Sequence, residues 1–144
     1  MVDVGHKDVT SRRARAEGWI RMSSEAFQLV VRNAGPKGDV RTVAELAGIL
    51  GAKQTASLLP LCHPVPLDHV EVTAELDPEL PGLRFIAQTR TTARTGVEME
   101  ALTAVSVALL TAYDMVKSAG HDLEIGGVRL LEKSGGASGD WSRD

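Results

Sequence analysis

The feature that most constrains this chain is the segment Thr95–Lys117, TGVEMEALTAVSVALLTAYDMVK, which is apolar at most of its positions. It predicts one long helix that is hydrophobic on nearly every side, and such a helix is expected to be buried on several faces. The charged residues within it are Glu98, Glu100, Asp114 and Lys117. They leave an uncharged stretch from Ala101 to Tyr113, which is too short to span a bilayer. We therefore expect a core helix whose charged ends lie at the edge of packed material, where burial and neighbouring charges shift pKa values.

In the rest of the chain, alternating apolar residues predict strands, and capping residues and apolar residues at helical spacing predict helices. They predict a strand at Glu17–Met22, helices at Glu25–Arg32 and from Val40 to Leu59, strands at His69–Leu76 and Leu83–Arg94, the long helix, and a strand at Gly126–Lys133. Ser23 or Ser24 is expected to cap the first of these helices, and Asp39 the second. The apolar residues that recur at helical spacing in the second helix are Val43, Leu46, Ala47 and Leu50. The two middle strands are expected to form a hairpin.

This order of elements predicts an α+β sandwich, with helices on one face of a mainly antiparallel sheet. A length of 144 residues suits one domain with a real core and is short for two. We expect a flexible N-terminal arm over residues 1–15, a single domain over 16–134 and a flexible, Gly-rich tail over 135–144. Neither a repeat nor a linker divides the domain.

Composition narrows the class of function. The net charge is −3 and aromatic residues make up 3%, so neither bulk charge nor stacking platforms favour nucleic-acid binding. The single cysteine, Cys62, cannot form an intramolecular disulfide, which fits a reducing compartment. The first ten residues contain no apolar signal-peptide core, so we expect a cytoplasmic protein.

Asp114 and Lys117 lie three residues apart in the long helix and therefore share one of its faces. Spacing alone favours an ordinary surface ion pair. The apolar neighbours Tyr113, Met115 and Val116 favour a second interpretation. In it, a desolvated pair holds one group ready to donate a proton and the other ready to accept it. Both interpretations remain open from the spacing.

Glu98 and Glu100 open the same helix, where the positive end of the helix dipole favours acidic residues. At about 100° per residue, Glu100 and Asp114 fall within roughly 40° of each other around the axis. A rise of about 1.5 Å per residue nevertheless separates them by roughly 21 Å. One small substrate cannot easily reach both within a single chain. If both serve one reaction, the site is expected to be shared between subunits.

Other candidate residues each carry a structural and a functional interpretation. Lys37 lies in the turn GPKGDV, either as a solvated lysine or as a mobile cation suited to an anion or to proton transfer. Lys53 lies near a helix C-terminus, where the dipole alone explains a cation. Cys62 and His63, in LCHP, match no zinc spacing and no cysteine-nucleophile signature, although the prolines would hold His63 in place for a ligand. Lys133, in KSGG, lacks the residue order of a phosphate-binding P-loop.

Four stretches taken together are specific. They are KGDV at 37–40, LCHP at 61–64, TGVEMEALTAVSVALLTAYDMVK at 95–117 and RLLEKSGG at 129–136, and MVDV at the start adds a fifth. In this order they closely resemble the molybdenum cofactor biosynthesis protein C (MoaC) family of cyclic pyranopterin monophosphate synthases. The resemblance covers nearly the whole chain.

The resemblance implies a ferredoxin-like α+β fold and a homohexamer, a trimer of dimers, with active sites at subunit interfaces. It implies a small-molecule substrate, the cyclic dihydro-GTP derivative 3′,8-cyclo-7,8-dihydroguanosine 5′-triphosphate. The family rearranges this compound to cyclic pyranopterin monophosphate and releases diphosphate, with no obligatory metal or redox cofactor. The chemistry agrees with the residues, because a triphosphate needs several cations and ring rearrangement needs proton transfers.

By position in these motifs, Asp114 resembles the family's catalytic aspartate, and Lys117 and Lys37 resemble its functional lysines. The residues that resemble its substrate-binding segments are Leu61, Cys62, His63, Met99 and Glu100, with Glu98 beside them, and Lys53 and Lys133 match further basic positions near the pocket. Two positions depart from the family pattern. Ala137 stands where the tail often carries a second lysine, and Val116 stands where many members have a cysteine.

A non-catalytic, oligomeric metabolite-binding module is the alternative function. Small α+β sandwiches often bind metabolites at subunit interfaces, and a fold does not fix a function. Binding of the cyclic GTP derivative without release of diphosphate would favour this alternative over the enzyme.

Overall fold

The computed structural model describes residues 1–144 and contains one five-stranded sheet with helices. The strands are β1 (Thr10–Arg21), β2 (Leu67–Asp77), β3 (Gly82–Ala93), β4 (Glu124–Ser134) and β5 (Trp141–Ser142). The helices are α1 (Ser24–Val31), α2 (Val40–Lys53), α3 (Thr55–Leu58) and α4 (Glu98–Val116), and a short 3₁₀ turn, Lys117–Ala119, follows α4.

The sheet has the strand order β2-β3-β1-β4-β5, and every neighbouring pair is antiparallel. Apart from the short β5, the chain runs from a strand through helices to two strands, a helix and a last strand, which is the ferredoxin-like arrangement. The predicted α+β fold and the hairpin of β2 and β3 are therefore confirmed.

Alternation along the central strands decides which face of the sheet is covered. On β1 and β3 every second residue is buried, among them Ala16, Ile20 and Phe85, while most of the residues between them are exposed or half-buried. α4 packs across the buried face against β1, β3 and β4, and α2 packs against α4 and β2. These two helices thus cover one face of the sheet, as predicted.

Small residues let α2 approach α4 closely. A Cβ atom at Gly51 would lie 2.7 Å from Val107 Cγ2, and one at Gly48 would lie 2.9 Å from the carbonyl oxygen of Ala104. Real Cβ atoms do not come this close, so a larger residue at either position would force its neighbours to move. The contact between these helices therefore depends on two positions that have no side chain.

The bulky apolar residues whose spacing predicts α2 lie on its outer side. Val43, Leu46 and Leu50 are 41%, 58% and 62% exposed, whereas Ala44 is fully buried. On α4, Leu110 is likewise 62% exposed, although much of that helix is buried. The helix itself is confirmed, but these large side chains face away from the core of this chain.

β1 is longer than predicted. It begins at Thr10 rather than Glu17, so the predicted N-terminal arm of residues 1–15 is shortened to 1–9. The missed part is paired with β3 along its whole length. The alternation of buried and exposed residues in this part of β1 is difficult to recognise in the sequence. The reason is that Arg12, a residue type that usually lies at the surface, occupies one of the buried positions.

Two further boundaries differ from the prediction. The second predicted helix is divided into α2 and α3 at Gln54. Beside this break the Thr55 hydroxyl donates to the carbonyl of Ala52 at 2.9 Å, a local bond that competes with the regular helical pattern. The segment 135–144, predicted as a flexible tail, includes β5, because Trp141–Ser142 returns to pair with β4.

α4 and the turn after it, Glu98–Ala119, are long and apolar enough to cross a membrane by length and composition alone. Half of the most apolar window is buried inside this protein, as in the core helix of a globular domain. The buried residues extend from Glu100 to Val116. The segment is therefore the core helix that its pattern predicts.

Candidate active site

Lys37, Asp114 and Lys117 meet at the carboxyl end of α4 and form the carboxyl-end cluster. Lys37 Nζ lies 2.6 Å from Asp114 Oδ2, and Lys117 Nζ lies 2.8 Å from Asp114 Oδ1. Lys37 Nζ also donates to the backbone carbonyl of Asp114 at 3.3 Å. One carboxylate thus holds two ammonium groups, one at the end of its own helix and one from a loop 77 residues earlier.

The loop before α2 places Lys37 at this cluster. Gly38 follows the lysine with a φ of 92°, a backbone conformation that favours glycine. Asp39 then caps α2, accepting from the Thr42 hydroxyl at 2.8 Å and from the Thr42 backbone N–H at 3.1 Å. These hydrogen bonds hold the pKa of Asp39 below its ordinary value. The predicted cap is confirmed, and it fixes the end of the loop that carries the lysine.

Charge pairing, rather than burial, sets the protonation of the carboxyl-end cluster. Hydrogen bonds from Lys117 and then Lys37 lower the pKa of Asp114 to about 2, and Asp114 raises the pKa of Lys117. The three side chains are between 50% and 56% exposed. Of the two interpretations of Asp114 and Lys117, this exposure matches the surface ion pair and not the desolvated pair. The apolar neighbours Met115 and Val116 are buried in the core, which leaves Asp114 at the surface.

The amino end of α4 carries a different set of side chains, Cys62, His63, Met99 and Glu100, which form the amino-end cluster. They line a cavity of about 210 Å³ together with Thr95, Gly96 and Glu98. Glu100 is only 3% exposed, and this burial raises the pKa of its carboxyl group. The Cys62 thiol also has a raised pKa, first because it is partly buried and then because the Glu100 carboxylate is near. The surroundings therefore favour the neutral forms of both groups.

Two hydrogen bonds hold the segment that carries Cys62 and His63. The backbone N–H of Cys62 donates to the carbonyl of Leu59 at 3.1 Å. His63 Nε2 lies 2.7 Å from the carbonyl oxygen of Val2, and the ring nitrogen is the donor because a carbonyl can only accept. This bond ties the start of the chain to the cluster. Leu61 is 71% exposed and does not line the cavity.

The two basic residues predicted near the pocket differ in their placement. Lys133 Nζ lies 3.1 Å from Glu98 Oε1, at the edge of the amino-end cluster. Lys53 is exposed at the last position of α2 and does not line the cavity. The structure therefore connects Lys133, but not Lys53, to the amino-end cluster. No three His, Cys, Asp or Glu side chains converge closely enough to hold a metal ion.

Within one chain the two clusters remain apart. Glu100 and Asp114 lie in the first and last turns of α4, and a helix of that length separates them by roughly 21 Å. The residues predicted as catalytic thus form one cluster, and most of those predicted as substrate-binding form another. A single copy of the chain does not bring the two sets together.

Sequence analysis missed Arg12. This arginine is 8% exposed and lines a second cavity, of about 240 Å³, which shares three lining residues with the cavity of the amino-end cluster. A signal was present, because Arg12 precedes Ala14 and Ala16 at the two-residue spacing of a buried strand face. An arginine that continues a buried alternation is a candidate for a paired or ligand-binding cation.

The fold and the two clusters define a small α+β protein with ionisable side chains gathered at both ends of one core helix. The sequence profile of the MoaC family matches residues 1–136, a range that includes every residue of both clusters. The chain belongs to the MoaC family.

Individual relatives are similar over nearly the whole chain. It is 56% identical over 142 residues to proteins of Brucella ovis and Brucella abortus named cyclic pyranopterin monophosphate synthase, and the match covers 99% of this chain and 86% of each relative. It is 54% identical over 143 residues to a molybdenum cofactor biosynthesis bifunctional protein of Synechococcus elongatus, where the match covers 99% of this chain and 45% of the relative. The family predicted from the sequence motifs is therefore confirmed.

Proposed function

We propose that this protein catalyses the formation of cyclic pyranopterin monophosphate, as a phosphorus–oxygen lyase of molybdenum cofactor biosynthesis. The substrate is 3′,8-cyclo-7,8-dihydroguanosine 5′-triphosphate, and diphosphate is released. The observation that carries this proposal is the 56% identity, over 99% of the chain, to proteins named for that synthase activity. The gathering of two lysines around Asp114 gives the proposal a chemical basis.

In this proposal the carboxyl-end cluster performs the acid–base steps. Asp114, whose pKa is lowered to about 2, stays ionised at neutral pH and holds two ammonium groups beside the reacting centre. Lys117 is protonated at neutral pH and is the proposed proton donor; its hydrogen bond to Asp114 raises its pKa, which holds the ammonium group in place and does not make it a stronger acid. The ammonium groups of Lys37 and Lys117 also stabilise the negative charge that develops as diphosphate leaves.

The amino-end cluster is assigned to substrate binding. The residues proposed for this role are Cys62, His63, Met99, Glu100 and Glu98, which line the cavity, and Lys133, which pairs with Glu98. Leu61 and Lys53 are proposed as further substrate contacts, although they lie outside the cavity of their own chain. Support comes from the cavity between the proline-rich loop and the start of α4. A buried carboxyl group such as that of Glu100 accepts hydrogen bonds when ionised and also donates one when protonated, which suits the amide edge of a purine-derived ring.

We further propose that each active site combines the carboxyl-end cluster of one subunit with the amino-end cluster of another, in a homohexamer built as a trimer of dimers. The distance between the clusters supports a shared site, because roughly 21 Å is too far for one small substrate to span. The exposed Leu46, Leu50 and Leu110 support assembly, because they give α2 and α4 apolar outer surfaces that a partner subunit would bury. The single, partly buried cysteine suits a reducing cytoplasm, where we place the reaction.

The experiment that tests this function supplies the purified protein with the cyclic dihydro-GTP derivative and follows two products. Formation of the cyclic pyranopterin product together with stoichiometric diphosphate supports the synthase. Binding of the substrate without release of diphosphate would contradict it and favour the metabolite-binding module. Heat-denatured protein is the control for uncatalysed rearrangement.

A further inference from the structure

Two buried threonines on β3 carry hydroxyl groups that the proposed function does not use. Along the buried face of this strand the residues are first apolar, at Leu83, Phe85 and Ala87. They are then polar, at Thr89 and Thr91, which are 2% and 0% exposed. A buried hydroxyl group without a hydrogen-bond partner is destabilising, so the position of each threonine depends on the group that it binds.

Thr91 holds one wall of the cavity of the amino-end cluster. Its hydroxyl donates to the carbonyl of Pro66, the last residue of the loop 59–66 between α3 and β2. This loop contributes Cys62 and His63 to the cavity. The pairing of β2 with β3 is irregular at its start, directly after the loop. The threonine hydroxyl therefore anchors the loop to β3 at a point where the regular strand pairing is interrupted.

Thr89 holds another wall of the same cavity. Its hydroxyl donates to the carbonyl of Val97 at 2.9 Å and lies farther, at 3.5 Å, from the carbonyl of Ala14. Val97 occupies the N-cap position of α4, and no side chain caps this helix. The residues that follow it, 98–100, line the cavity. Thr89 therefore ties the start of α4 to β3.

One strand thus determines the relative position of the two walls. Thr89 and Thr91 lie on the same face of β3, and their Cα atoms are about 7 Å apart along the strand. β3 is paired on one side with β1 and on the other with β2, so neither threonine lies on a free edge of the sheet. Neither threonine lines the cavity, because both are buried behind its walls.

We propose that Thr89 and Thr91 are positioning residues that set the width of the cavity of the amino-end cluster for the ring system of the substrate. This inference rests on the proposed function, which assigns substrate binding to that cluster. Loss of either hydroxyl weakens substrate binding by displacing a wall of the cavity. The acid–base steps are unaffected, because they belong to the carboxyl-end cluster.

Steady-state kinetics of Thr89→Val and Thr91→Val tests the inference, because valine keeps the β-branched shape and removes the hydroxyl. For each variant KM is expected to rise by about 2- to 10-fold, the range for loss of one hydrogen bond, with kcat changed by less than about twofold. Thr89→Ser and Thr91→Ser keep the hydroxyl and lose a buried methyl group. They should retain the KM of the unmodified protein even where they lower the melting temperature.

Thr55→Val is the matched control. Thr55 is 1% exposed, and its hydroxyl donates at 2.9 Å to the carbonyl of Ala52, at the break between α2 and α3. This change is expected to lower the melting temperature and to leave KM unchanged. An increase of KM in Thr55→Val as large as in the two β3 variants would overturn the positioning role, and so would an increase of KM in the serine variants.

Cys62 provides a second measurement that does not depend on turnover. It is the only cysteine of the chain and lies on the wall that Thr91 holds. Thr91→Val is expected to raise the rate of iodoacetamide modification of Cys62 by about 2- to 10-fold, because a loosened loop exposes the partly buried thiol more often. Thr91→Ser and Thr55→Val should leave this rate unchanged.

Thermal unfolding identifies the variants that fold, and if one of the two β3 valine variants does not, the other decides. Unchanged KM in the folded valine variants would overturn the inference, and so would an unchanged rate of Cys62 modification in folded Thr91→Val. If the unmodified protein does not convert the cyclic GTP derivative, the synthase is contradicted. The rate of Cys62 modification then still decides whether Thr91 holds its wall.

Discussion

The two ends of α4 place the same chemical group in opposite surroundings. At the carboxyl end, Asp114 is 53% exposed, and two lysines lower its pKa to about 2. At the amino end, Glu100 is 3% exposed, no cation pairs with it, and burial raises its pKa. Both are carboxyl groups on one helix, so the difference arises from what surrounds each end and not from the residue type.

This difference shows how the two ends complement each other. A carboxylate that is ionised at all ordinary pH values can hold cations but is a weak proton acceptor. A carboxyl group with a raised pKa exchanges protons closer to neutral pH. The carboxyl-end cluster contains two cations and one anion, whereas the amino-end cluster contains an unpaired acid. The carboxyl-end cluster, with its excess of positive charge, and the acidic amino-end cluster therefore complement each other, as two halves of one site would.

The largest expected effect lies at the exposed end. Asp114→Asn removes the charge that holds Lys37 and Lys117 together, and we expect turnover to fall by about 10³-fold or more while assembly is kept. Turnover assays and size-exclusion chromatography measure the two properties separately. The control is Asp122→Asn, which changes an exposed aspartate whose neighbouring cation, Arg21, lies 3.8 Å away. Near-normal turnover of Asp114→Asn in an intact assembly would exclude the catalytic role.

At the buried end, Glu100→Gln is expected to lower turnover by about 10²-fold and to raise stability at neutral pH. The folded-state pKa of Glu100 is raised, so its contribution to stability is fully present below the ordinary carboxyl pKa and is lost as pH rises through the folded pKa. Glutamine cannot ionise and avoids that loss. Thermal melts should therefore show the variant a few degrees more stable at pH 8 and a smaller gap at pH 4.

The exposed Glu71→Gln is the matched control for this stability effect. It should leave the melting temperature nearly unchanged across the same pH range, because Glu71 is not buried. A stability gap for Glu100→Gln that is constant with pH would contradict the burial of an ionisable group at the amino end.

Mixing the two variants tests whether the ends meet across subunits. In a symmetric pair of one Asp114→Asn and one Glu100→Gln subunit, one site receives both changes and the other receives neither. Random exchange makes half of the pairs mixed, so activity should return to about a quarter of the unmodified level. Subunits carrying different tags verify the mixed assemblies. If verified mixed assemblies stay as inactive as each variant alone, the two ends do not share a site.

The smallest effect is expected for Cys62→Ser. Burial and the nearby Glu100 raise the pKa of this thiol, so it is neutral and a poor nucleophile. The change to a hydroxyl should lower turnover by less than about fivefold, through altered contacts in the amino-end cluster. Steady-state kinetics measures the turnover of Cys62→Ser. The rate of iodoacetamide modification of the unmodified protein measures the nucleophilicity of the Cys62 thiol. A loss as large as that of Asp114→Asn would instead indicate covalent catalysis by the thiol.

Much of the fold could be predicted because each element carries its own local pattern. The caps illustrate this, since Ser23 Oγ accepts from the Ala26 backbone N–H at 3.1 Å and Asp39 accepts from Thr42 as predicted. The start of β1 was missed, because Arg12 continues the buried alternation of Ala14 and Ala16 with a residue type that usually lies at the surface. A local pattern also does not say which side of α2 packs, since that depends on the small residues facing α4.

The site was less predictable because its surroundings are built by distant parts of the chain. Spacing placed Asp114 and Lys117 on one helix face, but only the motif resemblance linked Lys37 to them. Which end of α4 is buried also depends on contacts that the helix sequence does not contain. The apolar neighbours of Asp114 suggested a desolvated pair, yet the structure exposes Asp114 and buries Glu100 instead.

Lys37 reaches Asp114 from a loop that leads directly into α2, so the spacing between α2 and α4 determines where its ammonium group arrives. That spacing is set at Gly48 and Gly51, where missing side chains let the helices touch. The distance between α2 and α4 therefore depends on two positions that have no side chain. A methyl group added at Gly48 or Gly51 would push α2 away from α4. It would thereby shift Lys37 relative to Asp114 without altering a single charged residue.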